Sequence, residues 1–91
     1  MIEYKELYIR FITSRGVGSN DRVASSPKSY VSYLNGVSRL LGRDITPAML
    51  RSEDDVSNAM QRLSGQRELA TLRHYQTAMR QYVAMVQSEG L

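Results

Sequence analysis

The chain has 91 residues, which suits one domain and leaves no room for a second. Apolar residues make up 42%, too many for a disordered chain, and the absence of cysteine removes disulfides and thiolate metal sites and points to a reducing cytoplasm. The formal charge is +3, the opening "MIEYKE" is no signal peptide, and no stretch approaches the ~20 apolar residues of a membrane span, so no membrane partner is expected.

A first helix is predicted from about Ile2 to Ser14 (2–14), where Tyr4, Leu7, Tyr8, Phe11 and Ile12 recur at three- and four-residue spacing. With Ile9 added, these large side chains span more than one face. The stretch "GVGSNDRVAS" reads as a loop. A second helix, 27–41, starts at a Ser26–Pro27 cap and stops before Gly42. Its buried stripe is Tyr30, Leu34, Val37 and Leu41, widened by Val31 and Leu40, while Tyr33 lies off the centre, toward a surface. Gly36 sits inside this helix at a cost of roughly 1 kcal/mol against alanine; close approach of a neighbouring helix would explain it.

Thr46 is expected to cap a short helical turn near 47–50. Ser52 caps a third helix, 53–64, whose first turn carries Glu53, Asp54 and Asp55, three acids that complement a positive helix end. Val56, Ala59, Met60 and Leu63 form its inner face. The last helix, 69–88, is the longest, with a stripe of Leu72, Tyr75, Met79, Tyr82, Val83 and Val86. Gly16, Gly18, Gly42, Gly65 and Gly90 each follow a helical pattern, where a C-cap favours positive φ. No stretch alternates as a strand does. The expected fold is therefore all-α, a compact bundle of four main helices plus one short turn, forming a single domain over 1–91.

Enzymatic chemistry finds little footing. There is one histidine, His74, and the acidic run Glu53-Asp54-Asp55 is explained by the helix start rather than by metal binding. No glycine-rich phosphate loop appears. The expectation is a non-enzyme without cofactor, metal or small-molecule substrate.

Basic residues carry more information. Ten of the twelve are arginine, the planar fork suited to phosphate and base edges. A GC-rich genome would give the same bias. On the last helix Arg73, Gln76 and Arg80 share one face, flanked by His74, Thr77 and Gln81, and Arg67 precedes the helix. No acid occurs between Leu69 and Gln87. Such side chains contact phosphates or base edges; the same face also reads as a solvated polar surface or a protein contact. Lys28 and Ser29, with Ser25 and Ser26, gather at the start of the second helix, where free N–H groups favour an anion, although Ser26 serves equally as an ordinary cap.

The segments "SPKSYVSYLNGVSRLLG", "DITPAMLRSEDDVSNAMQRLSG" and "ELATLRHYQTAMRQYVAMV" together resemble the N-terminal core-binding domain of tyrosine recombinases and phage integrases, over about residues 24–87. The resemblance implies a SAM-like helical bundle that clamps one face of a DNA duplex, with Lys28, Ser29, Arg73 and Arg80 as contacts and Gln76 between. The recombinase catalytic domain has no counterpart in 91 residues. The expected function is thus a non-catalytic double-stranded-DNA-binding domain, stand-alone or the N-terminal module of a larger DNA-processing protein. The alternative is a protein-interaction module, most simply a homodimer through the first helix.

Overall fold

The computed structural model describes residues 1–15 and 27–91. Within them lie four helices: α1 (Lys5–Ser14), α2 (Pro27–Leu41), α3 (Glu53–Leu63) and α4 (Leu69–Glu89). Long α4 packs against each of the other three; α2 also touches α1 and α3, and α1 and α3 do not meet. The architecture is an all-α bundle. No described helix is long and apolar enough to cross a membrane.

Local chemistry explains most helix ends. Pro27 opens α2, where a missing N–H costs nothing; the Ser26 cap and the Gly16 and Gly18 stops lie outside the described residues. Ser52 precedes α3 in an extended conformation, and the Asp55 carboxylate accepts the Ser52 N–H at 3.2 Å and the Arg51 N–H at 2.9 Å. One carboxylate thus satisfies two backbone donors ahead of the helix. The Thr46 turn forms as expected, with the Met49 N–H on Thr46 Oγ1 at 3.2 Å. Gly90 takes φ 69°, and the Leu91 N–H donates back to the Val86 carbonyl at 2.9 Å, closing α4 in a Schellman turn. Gly42 and Gly65 also have positive φ.

The first helix begins three residues later than its periodicity predicts. Ile2 forms an isolated parallel bridge with Ile45: Glu3 N–H donates to the Ile45 carbonyl at 2.8 Å and Ile45 N–H to the Met1 carbonyl at 2.9 Å. Pairing holds residues 1–3 extended, and Tyr4 turns the chain into α1 through the left-handed region, φ 58°. Ile2 and Ile45 are buried together with Met49 and Leu50. The 45–50 segment, expected only as a turn, therefore supplies core.

The core runs continuously through all four helices. The expected stripes of α2 and α4 are buried, except that Leu40 and Leu41 are half-buried at the end of α2. In α3, Val56, Ala59 and Leu63 are buried and Met60 half-buried. Helix α1 buries only Tyr8 and Ile12 fully; Leu7, Ile9 and Phe11 pack at the edge, and Tyr4 is 48% exposed. The Tyr8 hydroxyl donates to the Ala78 carbonyl at 2.9 Å and that of Tyr82 to the Glu3 carbonyl at 2.8 Å, so both rings are buried with their polar ends satisfied.

Candidate functional site

Helices α3 and α4 form an antiparallel hairpin. Their link, residues 64–68, is short, so the two helices run back along each other and the start of α3 comes level with the middle of α4. That register brings Glu53 to Arg80. The Arg80 Nε donates to Glu53 Oε1 at 2.7 Å, with both side chains more than half exposed. An acid expected only to complement its own helix dipole thus sits on the basic face of another helix. Among the described residues no three His, Asp or Glu side chains converge as a metal site.

Arg73 is exposed and makes no ion pair among the described residues. Gln76 is half-buried beside it, and Thr77 returns its hydroxyl to the Arg73 carbonyl at 3.0 Å. Arg67, also exposed, donates to the neighbouring Gln66 carbonyl at 2.7 Å. Arg73 and Arg80 therefore offer guanidinium groups on the α4 surface and Arg67 offers one from the preceding loop; among the described residues Arg80 alone of the three has a carboxylate partner.

Two of the three flanking residues, His74 and Gln81, behave differently from the expectation of an open polar face. His74 is half-buried and stacks on Tyr33 of α2, with ring centroids 5.0 Å apart and planes 13° from parallel. Tyr33 also meets Tyr30 edge-on and Tyr75 at a tilt. Gln81, two turns beyond His74 on the same line of α4, is half-buried, and its Oε1 has no hydrogen-bond partner among the described residues. His74 thus faces α2, and both side chains are more buried than an open polar face would leave them, so the buried stripe of α4 is wider than its large apolar residues indicate.

The head of α2 is divided between two surfaces. Ser29, one turn before Tyr33, lies on the side of α2 that meets α4. Lys28 lies on the other side and lines a groove against α1 with Lys5 and Ile9. The expected grouping of Lys28 and Ser29 at one anion site is thus not a single cluster in the fold. Adjacent helix positions are about 100° apart, which is enough to send neighbours to different faces.

Sequence reasoning missed the Glu53–Arg80 pair, the Tyr33–His74 stack and the groove shared by the two lysines. The first was accessible in principle: ten residues back from the end of α3 and about ten forward from the start of α4 face each other across a short link. The other two depend on how α2 is rotated about its axis. No protein-family model matches this chain, and neither a curated protein nor a solved structure matches it significantly.

Proposed function

We propose that this bundle is a non-catalytic DNA-binding domain, acting alone or as the N-terminal module of a larger DNA-processing protein, and that it lays the exposed face of α4 on the phosphate backbone of a duplex. Arg73 and Arg80 make the phosphate contacts, Gln76 lies between them, and Arg67 adds a contact from the preceding loop. Ser29 lies on the side of α2 that meets α4 and belongs to the same reading; Lys28 lies on a different surface.

The observation that carries this reading is the unpaired Arg73 on a helix with no acidic residue between Leu69 and Ser88. An exposed helix usually interleaves both signs, and a face that offers only cations and amides suits a polyanion. The Glu53 contact tempers Arg80 without removing it. Only Nε is engaged, leaving the terminal guanidinium nitrogens to a phosphate.

Fluorescence anisotropy with a labelled duplex, at several salt concentrations, tests it. Binding should weaken steeply with salt, and the Arg73→Ala, Arg80→Ala double variant should lower the slope of log K against log salt by about 2. Unchanged affinity and slope in that variant would remove α4 as the contact face.

A further inference from the structure

A groove of about 650 Å³ separates α1 from α2. Helix α1 lines it with Lys5, Ile9 and Thr13, spaced by four, and α2 lines it with Lys28, Val31 and Asn35, spaced by three and four. The two helices run antiparallel there, since the Met1 amine at the head of α1 donates to Ser38 Oγ near the tail of α2, at 3.4 Å. Lys5 and Lys28 therefore stand at opposite ends. At 1.5 Å per residue, Lys28 to Asn35 measures ~10.5 Å and Lys5 to Thr13 ~12 Å, so the groove is about two helical turns long.

Its charge is distinctive. Lys5 and Lys28 are the chain's only lysines; every other basic residue is arginine. Both are exposed and neither makes an ion pair among the described residues. Among the described residues no acidic side chain lines the groove, and Ile9 and Val31 line it between the lysines. An apolar strip with an unpaired cation at each end is complementary to an apolar strip with an anion at each end.

We propose that this groove docks an amphipathic helix of a partner protein, with acidic residues at i and i+7 and large apolar residues at i+3 and i+4. On such a helix the acids are ~10.5 Å apart, comparable to the length of the groove, and the apolar pair falls between them on the same face. The apolar pair seats on Ile9 and Val31, and the acids pair with Lys5 and Lys28. This is helix-in-groove recognition, with electrostatics setting register and orientation. A second copy of the chain is not the occupant, because no two of its acidic residues are seven apart.

The proposal is independent of the α4 face and is tested separately from it. A labelled helical peptide with Glu at i and i+7 and Leu at i+3 and i+4, in an Ala/Gln background, is titrated with the full chain. Binding in the micromolar range is expected, and a Lys5→Glu, Lys28→Glu variant should lose it by at least about tenfold. A peptide with Lys in place of both Glu should recover that variant's binding. Two results would overturn the proposal: equal binding of a peptide with its Leu pair moved to the opposite face, or undiminished binding of the acidic peptide by the charge-reversed variant.

Discussion

The Tyr75 hydroxyl oxygen lies 2.6 Å from where a β-carbon on Gly36 would stand, and two further ring atoms lie at 3.0 and 3.1 Å. The glycine allows α4 to lay a buried tyrosine directly on the backbone of α2, as its position inside an otherwise regular helix implied. Alanine at 36 would gain roughly 1 kcal/mol of helix propensity and lose about 1–3 kcal/mol to overpacking. We therefore expect Gly36→Ala to lower stability by about 1 kcal/mol, or ~4–8 °C in Tm. In a Tyr75→Leu background the same change should become neutral or stabilising. Thermal denaturation of the four-member cycle checks this, and a higher Tm for Gly36→Ala alone would contradict the close approach.

The buried Gln81 Oε1 has no hydrogen-bond partner among the described residues. Removing an unsatisfied polar atom recovers a desolvation cost of about 1–3 kcal/mol. Gln81→Met keeps a similar shape and a flexible side chain, so it should be neutral or raise the urea midpoint. Loss of stability in urea titration would indicate that the amide is satisfied.

Glu53 and Arg80 form an exposed pair, worth no more than ~1 kcal/mol to folding. Its larger consequence concerns binding, because the carboxylate competes with a phosphate for the guanidinium. Glu53→Gln should leave Tm nearly unchanged and raise duplex affinity. Thermal denaturation and anisotropy with a labelled duplex measure this. An affinity that falls on losing Glu53 would mean that the acid positions Arg80 rather than competes for it.

Burial raises the Tyr8 phenol well above its ordinary range, helped by neighbouring Tyr30. Burial also raises Tyr82, with the Glu3 and Tyr4 charges adding to it. Below pH ~10 neither phenol ionises in either state, so this stabilisation is fully present. Above pH 10 the unfolded chain releases protons that the native fold retains, and each such group costs about 1.4 kcal/mol per pH unit until its native value is reached. Tm should fall steeply between pH 10 and 11.5. Tyr8→Phe should flatten that fall while costing about 1 kcal/mol at neutral pH for the lost bond to Ala78. An unchanged slope in the variant would show that another group governs alkaline unfolding.

Asp55 accepts two backbone N–H groups ahead of α3. Asp55→Ala should destabilise the protein by about 1 kcal/mol, with amide exchange accelerated at Arg51 and Ser52. Exchange unchanged there would show that the cap is dispensable.

Local chemistry made the bundle legible in advance. The α2 and α3 boundaries follow from Pro27, Gly42 and Ser52, because a cap is settled within a few residues of itself. The buried stripes of α2 and α4 follow from 3.6-residue periodicity, since one face of each helix must leave water. The start of α1 was misplaced, because the Ile2–Ile45 bridge joins residues 43 apart and leaves no local mark on "MIEYKE". The polar face of α4 was legible as composition but not as geometry: His74 and Gln81 turn inward, and Arg80 reaches an acid that was assigned to another helix.

By itself, then, the order of residues determined that four helices form, where most of them end, which sides are apolar, and that α2 needs a glycine where a neighbour comes close. These are short-range consequences of hydrogen-bond caps and helical pitch. Tertiary packing alone decided the rest. It chose Tyr75 as the side chain that meets Gly36, brought Glu53 against Arg80, sent Ser29 toward α4 and Lys28 toward α1, and set the two lysines at opposite ends of one groove. Each of these depends on the rotation and register of one rigid helix against another. That choice is made by the whole core at once, and no single segment encodes it.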